Sequence, residues 1–173
     1  MGRPKALLEF QGETFLGRLQ RILLAHCAPV VVVLGHDAAA VRPILDPRAL
    51  AAVNPDPERG MLSSLQAGLD LLCDAERVLF LPLDYPAIHP ETIAHLCAAP
   101  MCEIAMPRYQ GRRGHPVLIS QEIVRELLAL GVGGAARDVI RNHNEAIRYV
   151  DVNDPAILMD VDTPEDNRVL SRL

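Results

Sequence analysis

Two segments set narrow limits on the fold. "PVVVVLG" (29–35) and "ERVLFLPLD" (76–84) are short, continuously apolar runs. A strand with one wet face alternates apolar and polar residues. An unbroken apolar run of this length suits a strand covered on both faces, as in a parallel sheet. "ALAAVNP" (49–55), "CEIAMPRY" (102–109), "HPVLIS" (115–120), "AIRYVDV" (146–152) and "AILMDVD" (156–162) read as further strands.

Helical segments separate them. "FLGRLQRILLAH" (15–26), "MLSSLQAGLDLLCD" (61–74) and "QEIVRELLAL" (121–130) carry apolar residues at helical spacing, and "GVGG" (131–134) breaks the last. "DAAAVRPIL" (37–45) is a short helix interrupted by Pro43, "PETIAHLCA" (90–98) opens with proline and an acid, and "AARDVIRNH" (135–143) is helical. The final helix, 163–173, has Thr163 as N-cap, Pro164 at its first position and Asp166 at its third. "GRRG" (111–114) reads as a turn. No repeat, linker or low-complexity tract divides the chain, so residues 1–173 form one domain. The alternation predicts an α/β, three-layer, Rossmann-like fold with a mostly parallel sheet and a binding crevice at the carboxyl ends of the strands.

Composition narrows the partners. A net charge of -5 and scattered arginines argue against nucleic acid and membrane surfaces. Charges at Arg3, Lys5 and Glu9 leave no apolar signal stretch, and no apolar run approaches the ~18 residues of a membrane span. Cys27, Cys73, Cys97 and Cys102 form no CxxC pair and lie in apolar stretches. They read as buried, reduced thiols, which makes the cytoplasm the expected compartment.

Two acids fall where the crevice is expected. Asp84 ends one strand segment before Tyr85-Pro86, and Asp162 ends another. Two carboxylates from separate strands can share one Mg²⁺, a hard ion that takes oxygen ligands and holds phosphates. Each acid alone reads equally as a turn or helix cap. Asp160 alternates with Asp162 in the same predicted strand, so its side chain is expected on the opposite face. "NPDPERGMLSSL" (54–65) is a loop running into a helix; Gly60 permits close approach, and Ser63 and Ser64 offer hydroxyls near free amides. An ordinary serine cap explains the same residues. "GRRGHP" (111–116) suits a charged substrate, or is a hairpin with solvated arginines. Lys5 is the sole lysine beside sixteen arginines. Its ammonium suits phosphate oxygens, although a lysine near a terminus is commonly just solvated.

Taken in order, "MGRPKALLEFQGETFL", "NPDPERGMLSSLQAGL", "LPLDYP", "RGHPVLIS" and "MDVDTPEDNRVL" resemble the blocks of the MobA/MocA-like NTP transferases, which act on the molybdenum cofactor. The resemblance spans essentially the whole chain, and the "GM-x-SSL" and "GHPV" blocks are closer to the cytidylyl-transferring branch. It implies a nucleotidyltransferase fold using Mg²⁺, in which an acceptor oxygen attacks the α-phosphorus of an NTP and pyrophosphate leaves. Carried onto this chain, Lys5 holds NTP phosphates and is catalytic together with Asp84. Asp84 and Asp162 hold the metal. Asn54, Gly60, Met61 and Ser64 line the nucleotide site, and Gly114 and His115 sit on the acceptor side. The implied partners are CTP in preference to GTP and a molybdopterin-type acceptor, with a molybdoenzyme as a further partner.

The family's opening "LAAGxSxR" strand and turn are missing from the sequence, and Met1 aligns with an internal methionine of the family pattern. The expectation is a fold lacking its first strand, with the coding sequence for that segment lying upstream of codon one. Two other readings stand beside the molybdopterin cytidylyltransferase one. One is transfer to a different phosphorylated acceptor, such as a sugar phosphate. The other is a silent nucleotide- or partner-binding module.

Overall fold

The structure is a computed structural model that describes residues 4–170. Its elements in chain order are β1 (Glu9–Phe10), β2 (Glu13–Thr14), α1 (Phe15–Leu24), β3 (Val31–Leu34), α2 (Ala38–Val41), β4 (Leu50–Val53), α3 (Met61–Leu69) and β5 (Arg77–Phe80). There follow α4 (Pro90–Cys97), β6 (Ile104–Tyr109), β7 (Arg112–Arg113), β8 (Val117–Ser120), α5 (Gln121–Ala129), α6 (Ala136–Asn142), β9 (Ile147–Asp151) and α7 (Pro164–Leu170).

Local chemistry sets several of these boundaries. The Thr14 hydroxyl accepts from Gly17 N at 3.1 Å and starts α1, which buries Phe15, Leu16, Leu19 and Ile22 on one face. Ser120 caps α5 in the same way, and that helix buries Ile123, Val124 and Leu127. Burial of each such side chain stabilises the fold by about 1.5–3 kcal/mol. Thr163 and Asp166 cap α7 reciprocally, each side chain accepting from the other's backbone amide at 3.2 and 2.7 Å.

The α/β architecture is the expected one, and its pairing is mixed. β3 pairs parallel with β4 as a separate two-stranded sheet. A five-stranded sheet runs β5-β8-β6-β7, with β9 parallel to β6 on its other side. β5–β8, β6–β8 and β6–β7 are antiparallel. Strand alternation divides the core into two layers of packing. Val78, Ile104, Met106, Val117 and Ile119 face α3, α5 and α6. Leu79, Ala105 and Leu118 face α4. Among the described residues β3 and β5 are not paired with each other, and an apolar cavity of about 900 Å³ lies between them.

Three expectations need correction. Residues 156–162 are not a strand; Pro155–Leu158 is a 3-10 turn, and the following segment is irregular. The Asp154 carboxylate accepts from Ala156 N at 3.0 Å and starts that turn. The "GRRG" segment is not itself the turn, which lies at Gln110-Gly111, both at positive φ, while Arg112 and Arg113 form β7. Cys73 is exposed and the other three cysteines are only half-buried, although all four are free thiols. Residues 171–173 of the expected last helix lie outside the described residues, as do Met1–Arg3. None of the described helices is long and apolar enough to cross a membrane.

Candidate active site

Asp84 follows β5 through Leu81–Leu83, and its backbone oxygen accepts from Val161 N at 2.8 Å. That bond brings the irregular 159–163 segment alongside the end of β5. A second backbone bond, His115 N to Ile157 O at 3.1 Å, draws in the start of β8. Beneath the turn, Asp154 is buried and accepts from His89 N and the Thr92 hydroxyl at 2.9 and 2.7 Å, fixing the segment to the start of α4.

This scaffold sets Asp84 and Asp162 around one cation. Lys5 Nζ donates to Asp162 Oδ1 at 2.6 Å and lies 3.8 Å from Asp84 Oδ2. The two carboxylates are separated by 78 residues in sequence and still converge on one point. All three side chains remain partly accessible. Thr163 and Asp162 amides both donate to Asp166, and these bonds hold its carboxyl below the usual range, the Thr163 hydroxyl first.

Asp160 is exposed, and its charge acts on both Tyr85 and His115. The alternation argument required a strand, and no strand forms there. Burial pushes the Tyr85 phenol up to about 12, and the charges of Asp160, Asp84 and Asp162 add to the effect. Tyr85 packs on His115 with ring centroids 4.8 Å apart. Burial lowers the His115 pKa, opposed by the charges of Asp84 and Asp160, so the imidazole is neutral at pH 7. Its Nδ1 is buried without a hydrogen-bond partner. Two carboxylates against one ammonium leave this corner with excess negative charge, which favours a further cation.

The 54–64 loop is built differently from the serine-cap picture. Buried Asn54 donates through Nδ2 to the Ser63 and Ser64 hydroxyls, both at 2.9 Å, and its Oδ1 accepts from Asp56 N. Ser63 Oγ also lies 2.8 Å from Gly60 O. Asn54 and Ser63 therefore knit the loop from inside. Gly60, at φ 84° and ψ -166°, occupies backbone space that only glycine enters freely and is itself the N-cap of α3. Met61 is exposed, and it shares with Ser64 and Lys5 the lining of the cavity between β3 and β5. Gly114 has a packing reason: a Cβ there would lie 2.1 Å from Ile157 O. Arg112 and Arg113 are exposed, as the solvated-hairpin reading has it.

The residues fit a hard divalent cation. Asp84 and Asp162 already share one cation between their oxygens. Among the described residues no group of three or more His, Cys, Asp or Glu side chains could hold a metal, so two carboxylates are the protein's share and other oxygens must complete the shell.

The profile of the MobA-like NTP transferase domain matches residues 1–148. The chain belongs to this family. Its fold is shared with several solved structures. Rv0371c from Mycobacterium tuberculosis H37Rv is 24% identical with a TM-score of 0.83, over 100% of this chain and 92% of that one. The same protein solved in complex with manganese is 26% identical with a TM-score of 0.81, over 98% and 91%. A nucleotidyl transferase from Methanothermobacter is 20% identical with a TM-score of 0.82, over 97% and 83%. No curated protein matches the chain in sequence. Within the family profile, Lys5, Asn54, Gly60, Met61, Ser64, Asp84, Gly114 and His115 all lie inside the matched span, while Asp162 lies beyond it. Sequence reasoning missed the packing of Tyr85 on His115 and the role of Asp154; the Asp154-Pro155 step was the available signal for the last, as an Asx-started turn.

Proposed function

We propose that the chain transfers a nucleoside monophosphate from an NTP, CTP in preference to GTP, to a molybdopterin-type acceptor and releases pyrophosphate. The observation that carries the reading is the convergence of Lys5, Asp84 and Asp162 on one point. In the transfer an acceptor oxygen bonds to the α-phosphorus, the α–β bridging P–O bond breaks, and the electron pair leaves with pyrophosphate. Such chemistry rests on positioning and charge neutralisation. Lys5 turns from its carboxylate partners to the triphosphate oxygens when substrate enters. Asp84 and Asp162 would hold Mg²⁺, which would supply charge neutralisation for the phosphates. Met61 and Ser64 border the nucleotide, held by the loop that Asn54 and Gly60 shape. His115, neutral with an unfilled Nδ1, offers the acceptor a polar contact beside Tyr85, and Gly114 keeps it seated on the Ile157 carbonyl. The free thiols suit the cytoplasm, and a molybdoenzyme is a further partner.

The test is pyrophosphate release with CTP or GTP, Mg²⁺ and molybdopterin. Lys5→Ala and Asp84→Ala are each expected to lower kcat by ~10²-fold or more. Nucleotide-dependent stabilisation without pyrophosphate release would instead identify a silent binding module. Release with a sugar phosphate but not with molybdopterin would move the acceptor to another class.

A further inference from the structure

α1 and α4 pack against each other through Leu19 and Ile22 of one and Ile93 of the other. A cysteine stands at the end of each. Cys97 is the last residue of α4, and Cys27 follows the turn that closes α1. Their sulfurs lie 3.9 Å apart. The backbone on each side is anchored. Cys27 N donates to Leu23 O at 2.7 Å. The Arg77 guanidinium of β5 donates to Cys97 O at 3.0 Å and to Ala99 O at 2.8 Å. The meeting of the two thiols is therefore built into the helix ends.

The other two cysteines are placed differently. Cys73 is exposed, and Cys102 packs in a separate cluster with Leu96, Ala105 and Leu118. A disulfide sets two sulfurs ~2 Å apart. The pair lacks only a short approach, which rotation about the two Cα–Cβ bonds can supply. The two sulfurs also differ in reactivity. Burial, reinforced by the nearness of Cys97, pushes the Cys27 thiol up to about 12, so it stays protonated at pH 7. The thiolate is the nucleophile. Cys97 is therefore the sulfur that reacts first, and Cys27 the one that resolves. Both are half-buried, which favours a small oxidant over a bulky one.

We propose that Cys27 and Cys97 form a reversible oxidation site, which hydrogen peroxide converts into a disulfide that clamps α1 to α4. The Cys97 sulfur attacks one peroxide oxygen, the O–O bond breaks, and the thiol proton leaves with the other oxygen as water, giving a sulfenic acid. The Cys27 sulfur then attacks the sulfenic sulfur. The S–O bond breaks, and the hydroxyl leaves with the Cys27 proton as a second water. Two electrons pass from the sulfurs to the peroxide oxygens. A thiol reductant reverses the bond by exchange. The clamp joins the ends of two helices whose beginnings reach the candidate site. Phe15 N donates to Leu8 O at 2.8 Å and ties α1 to the segment that bears Lys5. Asp154 fastens the start of α4 to the turn that precedes Asp162. The proposal stands on the sulfur geometry and is independent of the transferase reading.

The experiment treats the folded chain with hydrogen peroxide, blocks the remaining thiols with iodoacetamide and maps its peptides by mass spectrometry without reductant. A peptide linking Cys27 to Cys97, lighter by the two thiol hydrogens, is expected as the main product, and dithiothreitol is expected to remove it. The oxidised monomer is expected to melt ~10 °C above the reduced one, because the bond ties positions 70 residues apart in the unfolded chain. Cys27→Ser and Cys97→Ser are each expected to melt at the same temperature before and after peroxide, while Cys73→Ser keeps the full rise. The linked peptide is read on the unsubstituted chain, so a variant that fails to fold leaves the test intact. Absence of the link overturns the proposal. So do a link that forms only in urea, sulfinic acid at Cys97 as the main product, and an oxidised chain that melts no higher than the reduced one. Links to Cys73 or Cys102 in equal yield would mark indiscriminate oxidation and overturn it as well.

Discussion

At the scale of single residues, the site and the stability of the fold use the same chemistry in different places. His143, when protonated, donates to two acids: its Nδ1 lies 2.7 Å from Glu103 and its Nε2 2.7 Å from Glu126. Hydrogen bonds to Glu103 first, then Glu126, raise its pKa above 6.5. A raised histidine contributes stability that is fully present below the unfolded value and is lost as pH climbs through the folded one. His143→Gln is therefore expected to lower Tm more at pH 6 than at pH 9, and melts of both proteins at the two pH values check it; an equal gap refutes the linkage. Asn54 presents the opposite case, a neutral buried side chain. Asn54→Ala leaves two hydroxyls and the Asp56 amide without their partner, so a loss of about 1–3 kcal/mol is expected by urea unfolding. Lys5, Asp84 and Asp162 were legible in the sequence because one is the sole lysine and two stand before turn or helix signals. His143 was not, because its partners are 40 and 17 residues away in the chain.

At the scale of elements, what was legible followed from pattern length. Six of the seven segments read as strands form strands, and each predicted helix exists within a few residues of its expected ends. β1, β2 and β7 span two residues each, too short to carry a period. "AILMDVD" misled because apolar and acidic residues alternate at its end, while Asp154 had already committed the backbone to a turn. That turn places Asp160 and Asp162, and Gly114 packs directly on it. An alanine Cβ at 114 would meet Ile157 O at 2.1 Å, and a backbone carbonyl cannot step aside alone. Gly114→Ala is expected to cost about 3 kcal/mol and to lower pyrophosphate release together with Tm, as the 157–162 segment shifts. Gly131→Ala, where a Cβ meets nothing within 4 Å, is the matched control and is expected to leave both unchanged. Loss of Tm in both variants alike would show that the close approach at Ile157 is not the cause.

At the scale of the whole molecule, unbroken apolar runs correctly announced a layered α/β fold, whose strands β3 to β9 are divided between a two-stranded and a five-stranded sheet. The mixed direction of pairing was not legible, because periodicity reports burial and not strand direction. The division has a thermodynamic consequence. β6 lies between β8 and β9, so its amides are closed from both sides and backed by the core that holds Ile104, Ile119 and Ile123. β3 has one neighbour, borders the cavity, and belongs to a two-stranded sheet, a unit that is marginal unless something packs upon it. Opening β3–β4 breaks one ladder and exposes little that the cavity does not already expose. Opening β6 breaks two ladders and the largest core cluster. Local opening free energies track such differences. Amides of Val32 and Val33 are expected to exchange at least ~10-fold faster than those of Ile104 and Ala105 in the unliganded chain, read residue by residue in D₂O. Uniform protection across the two sheets would mean that they open only together, as one cooperative unit.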